Sequence, residues 1–292
     1  MSGMTPAALA RLQGAALLEA VQRQCFGFFW EGAETHSLMA RDRVTRRGPP
    51  KNDLVAVGGS GFGVMALIVA AARGWKRRKA VAARLSTMLD LLERAPCYHG
   101  ALPHFLDGRT GRTIALLGRK DDGGDLVETS FLVMGLLCAR AWFDRPEEKH
   151  LRDRITQLWR EVEWNWYVQP GTDFLTWHWS PNNGFALNHA IRGWNETLIT
   201  YVLAAASPTY AIDAKVYRKG FRAGPDYRNG RRYYGVRLPL GPKLSGPLFF
   251  AHYSFMGLDP RGLSDGHVDY WEQNLAQVKI NRANCIANPG GF

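Results

Sequence analysis

The chain has 292 residues, of which 46% are hydrophobic and 22% are charged. These proportions are typical of a globular domain and exclude a disordered tail protein, a collagen and a small disulfide scaffold. A net charge of +11 raises the question of an anionic partner. The basic runs, such as Arg46-Arg47 and Arg231-Arg232, are short and scattered, and no nucleic-acid-binding motif accompanies them. We therefore expect no nucleic-acid partner.

Membrane segments and an export signal are not expected from the sequence. The longest apolar run, Phe62 to Ala72, has eleven residues, whereas a helix needs about 20 to cross a bilayer. The first twenty residues do not combine a basic segment with an apolar one, since Arg11 and Glu19 interrupt the Ala/Leu stretch. Four widely spaced cysteines without a C-x-x-C pair leave the redox compartment open.

Helical periodicity dominates the chain. Apolar residues recur at helical spacing in Pro6–Trp30, Gly61–Ala72, Lys76–Glu93, Asp125–Phe143, Glu147–Trp166, Trp194–Ala206 and His267–Ala287. Only Asp53–Val57 and Arg232–Leu238 show strand signals. The segments between the helices are long and rich in Gly and Pro, which is typical of functional loops. The pattern predicts an all-α fold of helical hairpins arranged as a toroid, in one domain spanning residues 1–292.

An acidic cluster lies at the start of the fourth predicted helix. Asp121, Asp122, Asp125 and Glu128 fall within eight residues, and Asp125 and Glu128 share a helix face. Helix capping explains part of this pattern, with Asp125 as N-cap and Glu128 completing a capping box. Capping requires neither Asp121 and Asp122 nor the two glycines that follow them. The cluster is therefore also a candidate for acid–base chemistry.

A second carboxylate occupies an equivalent position. Glu196 follows Trp194 and Asn195 at the start of another helix, where it either caps the helix or, if buried, has a raised pKa and serves as a general acid. Two carboxylate groups at helix starts would lie on the same rim of a helical toroid. Such a pair is what glycoside hydrolysis requires.

Several aromatic residues lie in turn-rich segments such as Trp177-His178-Trp179. Aromatic rings pack on the C–H faces of sugars while polar side chains bind the hydroxyls. Individual tryptophans are otherwise explained by core packing. The candidate substrate-binding residues are Trp177, Trp179, Trp194, His104, His252, Asn182 and Tyr253.

Two other kinds of site are not favoured. The glycines of Gly58–Gly63 lack the spacing and the second strand of a dinucleotide-binding turn. His99, His104 and Asp107 match no zinc signature. We expect no metal and no cofactor.

Several segments together resemble a known family. Gly58-Gly59-Ser60-Gly61-Phe62-Gly63, His99-Gly100-Ala101-Leu102-Pro103-His104, Asp121 to Ser130, Trp177 to Pro181, Trp194-Asn195-Glu196 and Gly246 to Ser254 are similar to the glycoamylase-like bacterial proteins of glycoside hydrolase family 144. The resemblance spans nearly all of the chain. It implies an (α/α)6 toroid, endo-acting hydrolysis of β-1,2-glucan with inversion of the anomeric centre, and no metal. The acidic positions of the family fall on Asp121, Asp125, Glu128 and Glu196.

The resemblance also sets expectations for location and extent. Family members usually carry an export or lipoprotein signal, so we expect a periplasmic protein, or a cytoplasmic one if the first residue is the genuine start. Their sequences continue with further helices that close the toroid, so we expect a ring that is incomplete at its C-terminus. We further expect a monomer.

The functional hypothesis is an inverting endo-β-1,2-glucanase in which Glu196 is the general acid and either Asp125 or Glu128 is the general base. Asp121 would tune their charge. The alternatives are a retaining β-1,2-glucan transglycosylase on the same fold and a non-catalytic protein that binds β-1,2-glucan or its oligosaccharides.

Overall fold

The computed structural model describes residues 4–45, 48, 52–287 and 290–291. The chain folds into two compact units. The first runs to Glu161 and also takes in Ser180–Asn182, and the second comprises Val162–Trp179 and the chain from Asn183 onward. Neither unit contains, within these described ranges, a helix that is both long and apolar enough to cross a membrane. The expected single domain stays a prediction.

The first unit is mainly helical. Its elements are α1 (Pro6–Leu9), α2 (Gly14–Trp30), β1 (Leu54–Ala56), α3 (Val57–Ala72), α4 (Arg78–Leu92), β2 (Phe105–Asp107), β3 (Gly124–Asp125), α5 (Leu126–Trp142), a 3-10 turn (Pro146–Glu148) and α6 (Lys149–Glu161).

The first predicted helix is divided in two. Thr5 caps α1, its side chain accepting from the Ala8 N–H at 3.2 Å, and Pro6 fits the first turn because its missing N–H would have no partner there. The helix ends at Leu9, and Gly14 opens α2 with φ at +53°. Glycine adopts this left-handed conformation without a steric penalty, so the chain turns there.

The run Gly58–Gly63 lies inside α3, which starts four residues before the predicted Gly61. Glycine is a poor helix former, but here it allows α3 and α5 to approach closely. A Cβ on Gly61 would lie 2.1 Å from the Phe131 carbonyl oxygen, and one on Gly135 would lie 2.2 Å from the Gly61 carbonyl oxygen. The glycines therefore serve helix packing.

The core of the first unit lies among α3, α4 and α5. Leu67, Leu85, Leu89, Leu132 and Leu136 are almost completely buried there. Each such side chain contributes about 1.5–3 kcal/mol relative to exposure in water. This packing outweighs the weak helix propensity of the glycines.

Strands β1 and β2 join this core to the loop that precedes β2. They pair antiparallel, with Leu54 opposite Asp107 and Ala56 opposite Phe105. Immediately beyond the ladder, the Val57 N–H donates to the His104 carbonyl at 3.0 Å. This bond fixes His104 beside the first turn of α3.

The second unit has more irregular structure. Its elements are a 3-10 turn (Trp164–Tyr167), β4 (His178–Trp179), α7 (Leu198–Ala206), a π-helix (Val216–Phe221), β5 (Arg232–Tyr233), β6 (Val236–Arg237), three 3-10 turns (Lys243–Ser245, Leu248–Ala251 and Tyr253–Met256) and α8 (Tyr270–Ala287). Strands β5 and β6 form a hairpin within Arg232–Leu238, the segment that showed a strand signal, with Arg232 opposite Arg237.

Three tyrosines and one aspartate fix the segment that leads into α8. The Tyr217 and Tyr227 hydroxyls donate to Asp265 Oδ2 at 2.8 and 2.9 Å, and the Tyr217 and Tyr270 hydroxyls are 2.8 Å apart. Because Tyr270 is the first residue of α8, these bonds set where the helix begins. The network explains why α8 starts three residues after the predicted His267.

The glycine contact between α3 and α5 is testable by adding one methyl group. We expect Gly61→Ala to destabilise the chain by about 3 kcal/mol or more, since the methyl group meets backbone atoms that cannot turn aside. The measurement is the thermal unfolding midpoint by circular dichroism.

Gly59→Ala is the matched control in the same helix. Its Cβ would lie 3.3 Å from the Ala56 Cβ, and the better helix propensity of Ala offsets this tighter contact, so we expect a change within about 1 kcal/mol. Equal destabilisation by both substitutions would show that close approach of α5 is not the reason for glycine at position 61.

Candidate active site

Three segments of the first unit converge on one carboxylate cluster: the loop before β2, the first turn of α3 and the start of α5. The Asp125 N–H donates to the Leu102 carbonyl at 2.8 Å, and the Leu102 N–H donates to Thr129 Oγ1 at 2.9 Å. Together with the bond from Val57 to His104, these contacts bring His104 against the N-terminal turn of α5.

Asp125 is the N-cap of α5. Its Oδ1 accepts the N–H groups of Val127 and Glu128 at 3.0 and 2.9 Å, and the residue is 3% exposed. The predicted cap is therefore present. The capping box is not formed as predicted, because the Asp125 N–H binds the Leu102 carbonyl and the Glu128 carboxylate accepts from Gly58 instead.

His104 lies between the two carboxylates of α5. Its Nδ1 is 3.2 Å from Asp125 Oδ2, and its Nε2 is 3.8 Å from Glu128 Oε1. Burial opposes protonation of the imidazole, but the hydrogen bond to Asp125 and the charge of Glu128 outweigh it and raise the pKa of His104 to about 9. The side chain predicted to bind substrate is thus a cation within the acidic cluster at neutral pH.

Glu128 is a largely buried carboxylate, 16% exposed, that is hydrogen-bonded to α3. Burial and the negative charge of Asp125 raise its pKa to about 7, although the His104 cation opposes the shift. The Gly58 N–H donates to its Oε2 at 2.8 Å. A carboxyl that titrates near neutral pH is suited to acid–base catalysis.

Asp121 and Asp122 have different environments. Asp121 is 8% exposed, its Oδ2 accepts the Leu117 N–H at 3.3 Å, and its charge contributes to the raised pKa of Glu128. Asp122 accepts from the Ser180 hydroxyl and, at 2.7 Å, from the Asn182 side-chain amide. Asn182, a predicted substrate-binding residue, is exposed and held by this carboxylate.

Glu196 belongs to the second unit, in the turn before α7. Burial raises the pKa of its carboxyl. Its side chain does not cap the helix. Instead the Asn195 side-chain oxygen accepts from the Thr197 N–H at 3.0 Å, and the Ser254 hydroxyl donates to the Glu196 carbonyl at 2.6 Å. The Glu196 carboxylate instead has a backbone hydrogen bond within its own residue.

The predicted aromatic residues of the second unit divide into buried and accessible ones. Trp194 is 2% exposed, stacks on Tyr270 with ring centroids 5.9 Å apart, and donates its indole N–H to Gln277 at 3.3 Å. This is the environment of a core residue, so its contact with substrate stays a prediction. Trp177 and Trp179 are partly exposed.

Both accessible tryptophans have ring partners that the sequence pattern did not single out. Trp177 stacks on His189 with centroids 4.7 Å apart, and Trp179 meets the exposed Trp166 edge-on at 6.0 Å. The position of Trp166 at the end of a predicted helix gave no sign of this pairing. Both pairs offer apolar ring faces of the kind that bind sugars.

His252 and Tyr253 are exposed. His252 lines a groove of about 680 Å³ together with Trp271 and Asn274, while the Tyr253 ring lies 5.2 Å from that of Phe249. Both residues are accessible to a ligand, and their binding roles stay predictions.

One group of described side chains has donor atoms close enough to share a metal ion: Glu34, His36 and Asp53. Glu34 is completely buried, and hydrogen bonds from Ser37 and His36 overcome the effect of burial and lower its pKa to about 2. Its Oε2 accepts the Ser37 N–H at 2.7 Å and its Oε1 the His36 N–H at 2.8 Å. These bonds account for the ionised state of the buried carboxylate without an ion.

Comparison with known proteins supports the resemblance. The Glycoamylase family model matches residues 188–292. The structure of an endo-β-1,2-glucanase from Chitinophaga pinensis, in complex with sophorotriose and glucose, is 46% identical with a TM-score of 0.91, over 96% of this chain and 69% of that one. A β-1,2-glucanase from Parabacteroides distasonis is 42% identical with a TM-score of 0.90, over 99% of this chain and 43% of that one.

A curated relative from the same species, an exo-β-1,2-glucooligosaccharide sophorohydrolase acting at the non-reducing end, is 44% identical over 296 residues. The match covers 94% of this chain and 40% of the relative's length. The structural matches confirm the predicted all-α fold class. On this identity and coverage, the chain belongs to the glycoamylase-like family of glycoside hydrolase family 144, as its sequence motifs predicted.

Proposed function

We propose that the chain is a glycosidase that hydrolyses β-1,2-glucan or its oligosaccharides. The names of its relatives, which act on β-1,2-linked glucose chains, support this substrate. The observation that carries the proposal is Glu128, a largely buried carboxyl whose pKa near 7 suits proton transfer at neutral pH. Partly exposed aromatic rings at Trp177 and Trp179 supply surfaces for sugar stacking.

The reaction we propose is inverting hydrolysis by two carboxyl groups. One protonated carboxyl donates to the glycosidic oxygen, and one ionised carboxylate removes a proton from water as it attacks the anomeric carbon. Glu196 is proposed as the acid, because burial raises the pKa of its carboxyl and favours the protonated form. Asp125 or Glu128 is proposed as the base, with the charge of Asp121 modulating Glu128.

Endo action is proposed first, since the structural relative with 46% identity is named an endo-β-1,2-glucanase. Exo action is the second candidate, favoured by the sophorohydrolase name of the curated relative. The two modes differ in the first products that they release.

Product analysis tests the reaction and its mode. Purified protein incubated with linear β-1,2-glucan should release oligosaccharides of mixed length at early times if it acts endo, and sophorose alone if it acts exo. Inversion of a β-linkage yields the α-anomer first, which ¹H NMR detects before mutarotation. Release of the β-anomer would favour the retaining alternative, and a folded protein that binds the glucan without cleaving it would overturn the glycosidase proposal.

The role of Glu196 is tested by Glu196→Gln, which keeps the shape of the side chain and removes its proton. We expect kcat to fall by about 10²–10⁴-fold, with the circular dichroism spectrum unchanged. An aryl β-glucoside, if accepted, should lose much less rate, because its leaving group needs little protonation. An equal loss with both substrates would contradict the assignment of Glu196 as the acid.

Glu128→Gln should reduce activity by a similar factor and raise stability. The pKa of Glu128 is higher in the folded chain than its ordinary value of 4.5. Folding is therefore not penalised by this carboxyl below pH 4.5, where it is protonated in both states, and stability is lost as pH rises through 7 and the buried carboxyl ionises. Glutamine cannot ionise, so the variant does not lose this stability. The unfolding midpoint should therefore rise by about 2–4 °C at pH 8 and by less at pH 5.

Glu147→Gln is the matched control, because Glu147 is an exposed glutamate of the same unit. We expect both its activity and its unfolding midpoint to match those of the parent at pH 5 and pH 8. A destabilised Glu128→Gln variant at pH 8 would show that Glu128 is a structural rather than a catalytic carboxyl.

A further inference from the structure

The two oxygens of the Glu128 carboxylate have unequal environments. Oε2 accepts the Gly58 N–H at 2.8 Å. Across the described parts of the chain, no hydrogen bond to Oε1 is formed, and the cation nearest to it is His104, with Nε2 at 3.8 Å. Because the side chain is 16% exposed and Oε2 is already bonded to Gly58, Oε1 is the oxygen left to bond an incoming molecule.

Asp125 presents the opposite arrangement. Its Oδ1 accepts two N–H groups of α5, its Oδ2 faces His104 Nδ1 at 3.2 Å, and its side chain is 4% exposed. A carboxylate with both oxygens engaged and almost no exposure is poorly placed to take a proton from water. Asp125 therefore caps α5 and orients His104, which leaves Glu128 as the better placed of the two candidate bases.

We propose that His104 is a positioning residue for the hydrolysis: its imidazolium bridges Asp125 and Glu128, and leaves Glu128 Oε1 as the oxygen that exchanges a proton with the reacting molecule. The proposal rests on the proposed function and deepens it. It also replaces the substrate-binding role that the sequence predicted for His104 with one inside the acidic cluster.

Charge balance supplies the physical reason. The charged groups that act on His104 are Asp121, Asp125 and Glu128, and α3 contributes the neutral Gly58 amide. The carboxylates lie at the two ring nitrogens of His104, and one face of the ring stacks on Phe105, with centroids 4.1 Å apart. Without the imidazolium, three carboxylates would share a poorly solvated site, and Glu128 would hold its proton more tightly.

The backbone fixes the bridge in register. The His104 carbonyl accepts the Val57 N–H, and the chain then enters β2, which pairs with β1. Asp125 is the N-cap of α5 and Glu128 lies in its first turn, so the helix places the two carboxylates three residues apart on one face. The His104 backbone is therefore fixed by α3 and β2, and its two ring nitrogens face carboxylates fixed at the start of α5.

The bridge is tested first without any assay of activity. NMR titration of the histidine ring nitrogens in the full chain should show His104 protonated well above the ordinary range for histidine, with a pKa near 9. The pKa should fall by about 1 unit or more in Asp125→Asn and in Glu128→Gln. The exposed His150 serves as an internal reference, and at a fixed pH its ring-nitrogen chemical shifts should be the same in all three proteins.

The role in the reaction is tested by the pH dependence of kcat on linear β-1,2-glucan. In His104→Asn the limb of the profile that reports Glu128 should move to higher pH by about 1 unit or more, and kcat at neutral pH should fall about 10- to 100-fold while KM changes less than about 3-fold. The shift of the limb is expected whether Glu128 acts as base or as acid, whereas the fall in kcat at neutral pH is expected only if Glu128 acts as the base. His150→Asn should leave the profile unchanged.

The outcomes separate the proposals. A large rise in KM with an unmoved pH profile would make His104 a substrate contact and overturn the positioning role. A ring that titrates near pH 6.5 in the parent would overturn the bridge, even if His104→Asn fails to fold. A protonated bridge in a parent protein that cleaves no glucan would overturn the proposed function while leaving the bridge itself established.

Discussion

The close contact between α3 and α5 is the constraint on which the candidate site depends. Gly61 and Gly135 leave no room for a Cβ between the helices, so the two backbones touch. Only at this separation does the first turn of α3 bring the Gly58 N–H to the Glu128 carboxylate. A Cβ at position 58 would itself lie 2.5 Å from Glu128 Oε2. Helix packing and the environment of the reactive carboxyl thus have one cause.

Local signals in the sequence predict much of this unit. Periodicity located α3, α4 and α5 to within a few residues, and Asp125 was recognisable as an N-cap because a short acidic side chain before an apolar helix suits the free N–H groups there. The cluster at Asp121 to Glu128 stood out by its density of charge. The helix positions, the cap and the acidic cluster all depend on residues close together in the chain, so they can be predicted without a structure.

Long-range contacts were not predictable in the same way. The partner of Glu128 is the backbone of Gly58, seventy positions away, and a backbone amide leaves no trace in side-chain chemistry. The glycine run Gly58–Gly63 was recognisable as a poor dinucleotide-binding turn and as part of the family resemblance, but its packing role was not, because that role depends on a second helix. Trp194 illustrates the converse: its neighbours Asn195 and Glu196 suggested a sugar site, whereas Tyr270 and Gln277, far along the chain, bury it.

The hydrogen bonds from Ser180 and Asn182 to Asp122 affect the order in which the chain can fold during synthesis. Ser180–Asn182 belongs to the first compact unit although it follows the first residues of the second, and the Asp122 carboxylate accepts from both its side chains. The N-terminal part of a chain leaves the ribosome first and can fold first. Roughly sixty further residues must be synthesised after Asp122 before Ser180 and Asn182 can bond to it. The candidate site is therefore completed after its helical core has formed.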